Sequence, residues 1–148
     1  MNRDFVEMLF ALSDHGAEFV VVGAHALALH GHPRATGDLD ILVRPSTENA
    51  EKVWRALVAF GAPLFDLNRE DLATAGIVFQ MGLPPRRIDL LTSISGVSFD
   101  DAAGSRVEHV IEGRPIPFIG REALIANKRA AGRLKDLADV HALEHGEE

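Results

Sequence analysis

Apolar residues at 5, 8, 9 and 12 in the opening stretch MNRDFVEMLFALSDHG recur at helical spacing, so Phe5, Met8, Leu9 and Leu12 predict an amphipathic helix over 2–14. Phe19-Val20-Val21-Val22 is an unbroken apolar run rich in β-branched residues, the pattern of a buried strand. Gly23 ends it, and AHALALH (24–30) supplies strong helix formers up to a stop at Gly31. HGHPRATG reads as a loop, and GDLDILV (37–43) follows as a second apolar strand interrupted by two acids. A helix then starts at Pro45-Ser46-Thr47, with Ser46 or Thr47 as cap and Val53, Trp54, Leu57 and Val58 as its apolar face.

Beyond Gly61 the pattern is shorter in period. LFDL (64–67) reads as a short strand and NREDLATAG as a short helix opened by Asn68. IVFQM (77–81) and RIDLLT (87–92) read as strands joined by a turn at Leu83-Pro84-Pro85. RVEHVIEG and RPIPFIG form a predicted hairpin around Gly113-Arg114, and helices over 121–131 and 134–145 flank Gly132. The order α-β-α-β-α-β-β-(α)-β-β-α-α predicts an α/β (α+β) class, a mixed sheet flanked by helices. The 148 residues, without repeat, low-complexity tract or linker, fit one domain over 1–148.

Composition narrows the chemistry. The chain has no cysteine, which removes disulfides and thiolate metal sites. No apolar run reaches the roughly 18–20 residues of a membrane span, and the N-terminal stretch lacks the pattern of a signal peptide; a cytoplasmic protein without membrane contact is expected. The net charge of −7 argues against sequence-independent binding to a nucleic-acid backbone. Against that balance, Arg114, Arg121, Lys128, Arg129, Arg133 and Lys135 share their stretch with one acid, Glu122, so a local anion site is expected there.

The acids inside apolar strands are the sharper signal. Residues two apart on a strand share a face, so Asp38 and Asp40 are expected side by side, and Asp89 repeats the oddity within RIDLLT. Like charges at that range raise each other's pKa or demand a counter-charge. An isolated strand aspartate commonly caps, turns or pairs with an arginine, and Arg34, Arg44, Arg86 and Arg87 are near in sequence. Three carboxylates on neighbouring strands instead suit a hard cation, Mg²⁺ or Mn²⁺. Such ions can activate an attacking oxygen and stabilise a leaving one in phosphoryl-type transfer. Upstream, Val22-Gly23-Ala24 carries a strand through a glycine into a helix, a place where backbone N–H groups attract phosphate.

Taken together, Val22-Gly23-Ala24, Asp38-Leu39-Asp40-Ile41 and Ile88-Asp89-Leu90 resemble the motif set of the DNA polymerase β-like nucleotidyltransferase superfamily. The ending from Lys128 to Asp139 resembles small bacterial nucleotidyltransferases of the AbiEii type, a toxin and abortive-infection branch, and the likeness spans about residues 19–143. The resemblance implies a nucleotidyltransferase fold and metal-dependent transfer of a nucleoside monophosphate from an NTP to an acceptor, releasing pyrophosphate. It implies that Asp38 and Asp40 hold the metals and that Asp89 completes the site and helps to activate the acceptor hydroxyl. Gly23 and its neighbour Ala24 would contact the triphosphate, and Lys128 would be a phosphate contact. The acceptor would be a tRNA, a protein or a small molecule, and a toxin role would bring an antitoxin partner.

The remaining polar residues carry weaker expectations. Arg34 and Thr36, just before the acidic strand, are candidates to touch the nucleotide or to order their loop. Asp136 and Asp139 read as a helix cap and a partner for Arg133, while Glu108-His109 and Asp139–His141 read as surface neighbours. His25, His30 and His32 fit no single helix face and read as exposed. Ala24 departs from the family pattern, which has Ser or Gly there, and so favours a second reading: a non-catalytic nucleotide-binding or protein-interaction module on the same scaffold. A nuclease reading lacks the lysine that a D…E-x-K strand would supply, and neither G-x-S-x-G nor a Walker lysine loop is present.

Overall fold

The computed structural model describes residues 1–32 and 37–146. Helix α1 (Arg3–Asp14) is capped by Asn2, whose side chain accepts from the Phe5 N–H, and it buries Phe5, Met8, Leu9 and Leu12 as their spacing predicts. Strand β1 (Phe19–Val22) is buried throughout and passes directly into α2 (Gly23–Leu29). Strand β2 (Leu39–Val43) follows, then α3 (Thr47–Phe60), with Ser46 as its N-cap and Gly61 in the left-handed region at its end. Helix α4 (Arg69–Leu72) is closed by a reciprocal Asn68–Asp71 capping box. Strands β3 (Val78–Met81) and β4 (Ile88–Leu91) lead to α5 (Phe99–Gly104), capped by Ser98. The hairpin β5 (Val107–Ile111) and β6 (Arg114–Phe118) precedes α6 (Arg121–Ala131) and α7 (Leu134–His145).

The six strands form one mixed sheet in the order β3-β4-β2-β1-β6-β5. Strand β1 lies antiparallel to β2 and parallel to β6; β2 lies parallel to β4; β3–β4 and β5–β6 are antiparallel. The central strands are almost wholly apolar because helices cover the sheet, and Leu39, Ile41 and Val43 of β2 are fully buried. Helix α1 packs on α3 and α6 on α7. In the hairpin, Glu112 and Gly113 both have positive φ, the geometry of a two-residue type I′ turn. Pro115 and Pro117 oppose Val110 and Glu108, the positions of that ladder where no strand-to-strand N–H is needed.

Two expectations are corrected here. Residues 64–67 form a turn and not a strand: Leu64 and Leu67 pack on the core at a spacing of three, while Phe65 between them is 94% exposed. A strand would have put Leu64 and Leu67 on opposite faces. The second acidic strand begins at Leu39, so Asp38 stands at its threshold rather than within it. No helix among the described residues is long and apolar enough to cross a membrane.

Candidate active site

Parallel pairing of β2 with β4 sets Asp40 directly opposite Asp89, and the same register row continues to Val22 of β1 and Gln80 of β3. Two carboxylates thus stand on neighbouring strands near the middle of the sheet, where Asp89 is buried. Asp38 joins them from the threshold of β2. Its Oδ1 accepts from the Arg87 backbone N–H at 3.1 Å, while the Leu39 N–H donates to the Arg87 carbonyl at 2.9 Å. These bonds pin the start of β2 to the start of β4, so the three acids that the sequence singles out do converge.

Among the described arginines near in sequence, Arg87 pairs with these acids. Its Nε donates to Asp89 Oδ1 at 2.8 Å and its Nη2 to Asp89 Oδ2 at 3.2 Å. The same Nη2 lies 3.2 Å from Asp38 Oδ2. The guanidinium therefore bridges two of the three acids and is held more firmly protonated by them. Asp40 makes no ion pair with it. Burial pushes the Asp40 carboxyl up to about 6, and the charge of Asp89, a hydrogen bond to Asp89 and the charge of Asp38 add to the rise.

Gly23 meets this cluster from the side. It has a φ of +70°, and a Cβ on it would come within 2.3 Å of Asp40 Oδ2. Glycine is thus required twice, by backbone conformation and by the carboxylate packed against it. A cleft of about 260 Å³ opens here, lined among others by Gly23, Asp40, Ser93, Ser95, Asn127, Lys128 and Arg133. Ala24 is not part of the lining. Arg34 and Thr36 lie outside the described residues. A larger hollow, about 580 Å³, lies between α2 and the β5–β6 hairpin beside His25 and His109 and holds none of the three acids.

The C-terminal helices build the far wall as a charge network. Lys128 is buried, with Nζ 2.9 Å from Asp139 Oδ2 and 3.7 Å from Asp136 Oδ1. Arg133 Nε donates to Asp136 Oδ2 at 2.6 Å, and Asp136 in turn accepts from the Arg133 N–H, capping α7. Burial pushes the Asp136 carboxyl up, but the hydrogen bond and charge of Arg133 and the charge of Lys128 outweigh it and hold it below the ordinary carboxylate value. The expected cap and Arg133 partner are therefore present at Asp136. Asp139, expected at the surface, is buried against Lys128, because the lysine reaches inward from α6.

The basic stretch is likewise not a free anion site. Arg114 pairs with Asp14, Arg121 with Glu122, Arg129 with Glu144, and Arg133 and Lys128 as above. Lys135 alone of the six makes no ion pair within the described residues. The histidines on α2 also depart from expectation. His25 is half-buried, edge-on to Phe5 with Nε2 3.4 Å from the Gly37 carbonyl, and burial lowers its pKa. His30 Nε2 hydrogen-bonds the Ile119 carbonyl at 2.8 Å.

Sequence reasoning missed Gln80, Ser93, Ser95 and Asn127. Gln80 becomes visible only with the β3–β4 register. The polar turn Ser93-Ile94-Ser95-Gly96 directly after the Asp89 strand was the one available signal for the cleft wall.

As to metals, the three acids offer only oxygen donors, and among the described residues Arg87 is the cation paired with them, a donor set that fits a hard ion in chemistry. No group of three or more His, Asp or Glu side chains among the described residues forms a ready-made cage, since Arg87 holds Asp38 and Asp89.

Comparison with known proteins bears on this geometry. The antibiotic-resistance factor ANT(2″)-Ia, in a crystal structure with adenylyl-2″-tobramycin, superposes with a TM-score of 0.61 at 17% identity, covering 97% of this chain and 87% of that one. A solution structure of ANT(2″)-Ia gives 0.64 at 15% identity over 98% and 83% of the two chains. A candidate nucleotidyltransferase of Thermotoga maritima, TM1012, gives 0.57 at 16% identity over 99% and 94%. At these identities the likeness is one of fold, the nucleotidyltransferase fold. No curated protein matches the sequence. The family described as "Nucleotidyl transferase of unknown function (DUF2204)" matches residues 1–145, and the chain belongs to that nucleotidyltransferase family.

Proposed function

We propose that the protein is a metal-dependent nucleotidyltransferase that moves a nucleoside monophosphate from an NTP to a hydroxyl-bearing acceptor and releases pyrophosphate. The observation that carries this reading is the register match of Asp40 with Asp89 on parallel strands, with Asp38 beside them and the cleft opening over Asp40. Asp38, Asp40 and Asp89 would hold Mg²⁺ or Mn²⁺, which when bound neutralises charge on the triphosphate and the leaving pyrophosphate. Gly23 lets the Asp40 carboxylate sit flush against the chain. Asp89 stands between Asp40 and the outer strand β3, the side from which an acceptor can approach, and we assign it the acceptor hydroxyl's proton. Asp40, whose carboxyl lies near 6 without a cation, must be ionised to bind one, so cation affinity rises with pH up to about that value.

The acceptor classes are a small molecule, a tRNA or a protein; the adenylylated tobramycin held by ANT(2″)-Ia is an instance of the first in a protein of the same fold. The likeness of residues 128–139 to the AbiEii-type branch supports looking for an antitoxin partner. A second reading, a binding module without turnover, is favoured by Arg87, which already supplies a cation to Asp38 and Asp89.

Pyrophosphate release with each NTP, Mg²⁺ and an acceptor panel separates the two. Release by the wild type that is abolished in Asp40→Ala is the expected result; equal release by both proteins would remove Asp40 from the mechanism and overturn the metal site built on it.

A further inference from the structure

The turn after β4 is fastened at several points. Ser93 Oγ accepts from the Gly76 N–H at 3.0 Å, Thr92 Oγ1 donates to the Thr74 carbonyl at 2.6 Å, and Ile94 bridges to Val97. Asn127 Nδ2 donates to the Ser95 carbonyl at 2.9 Å, tying the turn to α6. At Gly96, with φ +72°, a Cβ would lie 2.5 Å from the Ala130 side chain, so the turn is seated on the helix as closely as glycine allows. None of these fastenings uses the Ser95 hydroxyl. Ser93 and Ser95 both line the cleft, together with Gly23 and Asp40. Ser95 is exposed and its hydroxyl makes no hydrogen bond among the described residues; Ser93 uses Oγ as acceptor, which leaves its proton free to donate.

The charges of the cleft make neutral donors matter. Lys128 faces two buried carboxylates and Arg133 is paired with Asp136, so neither cation is unopposed. A polyphosphate in this cleft would find its uncompensated donors on the serine turn. The turn at Gly23 has no side-chain donor to offer the cleft, since residue 24 is alanine and lies outside the lining.

Resting on the nucleotidyltransferase reading, we propose that Ser93 and Ser95 are the side-chain donors that hold the NTP polyphosphate, with Asn127 as the positioning residue for their turn. Hydroxyl donation to a phosphate oxygen is a charge-assisted hydrogen bond, and loss of one such bond weakens binding about tenfold.

The experiment is calorimetric titration of wild type, Ser95→Ala, Ser95→Thr and Asn127→Ala with each Mg–NTP and with Mg–tripolyphosphate, a probe lacking base and sugar. The expected result is binding by the wild type, about tenfold weaker in Ser95→Ala for both probes, and restored in Ser95→Thr. Unliganded melting of Ser95→Ala should match the wild type, because the hydroxyl supports nothing in the fold. Unchanged affinity in Ser95→Ala would overturn the proposal while leaving the nucleotidyltransferase reading standing. Weakened NTP binding with unchanged tripolyphosphate binding would also overturn it, moving Ser95 to the base or sugar. No binding of any Mg–NTP by the wild type would instead overturn the reading beneath it.

Discussion

Asp40 is held in a state that costs the protein stability at neutral pH. Its carboxyl sits near 6 against an ordinary 3.8, so the folded chain binds that proton more tightly than the unfolded chain does. The resulting stabilisation is full below about pH 4 and disappears as pH rises through 6. Asp40→Asn, which cannot ionise, should therefore exceed the wild type by on the order of 2 kcal/mol at pH 8, with the gap closing by pH 4. Urea unfolding at the two pH values measures it, and a gap that does not change with pH would mean that burial and the neighbouring acids are not what raise this group. The three acids were legible in the sequence because carboxylates are so poorly placed inside apolar strands. Arg87 could be shortlisted with three other arginines, but choosing it required the β2–β4 register, which decides which guanidinium reaches Asp89 and Asp38 together.

Among the elements, segments with a clear period, an unbroken apolar run or a cap were readable, down to the four-residue strands β1, β3 and β4 and the Asn68-capped α4. The bounds 121–131 and 134–145 of α6 and α7 emerge from the pattern because Gly132 breaks two helical runs and adopts the left-handed conformation that ends α6. The four residues 64–67 are too few to show whether their period is two or three, and there the expectation failed. What the α6–α7 pattern could not reveal is that Lys128 faces inward. With its side chain 10% exposed and two carboxylates against it, the lysine holds the helix pair together before it can serve any ligand. Lys128→Met should cost about 3 kcal/mol in the absence of nucleotide, since it leaves Asp136 and Asp139 buried near each other without that cation. Denaturant unfolding reads this directly. A stable Lys128→Met protein that has lost nucleotide affinity would return the lysine to the role of phosphate contact.

For the molecule as a whole, the net charge of −7 is a better guide than the local basic stretch. Five of the six cations between 114 and 135 are matched by carboxylates from α1, α6 and α7, pairings between residues up to a hundred positions apart that a linear count does not register. Random-sequence RNA should accordingly bind no tighter than about 100 µM at 0.15 M salt, the weak end of non-specific affinity. Fluorescence anisotropy would test this, and tight, steeply salt-dependent binding would mean that the pairings open in solution. An RNA acceptor would then have to be recognised by shape or by base contacts rather than by charge.

The strand order also sets a timetable. Asp38 and Asp40 sit at the start of β2, whose acidic neighbour, β4, is 49 residues further along the chain, and the cleft residues Asn127, Lys128 and Arg133 are later still. During synthesis the three acids can meet only once β4 is available to pair with β2, and Asp40 gains its cleft only when α6 and α7 follow. A nascent chain carries Asp40 through most of its synthesis without the cleft that the finished fold opens beside it.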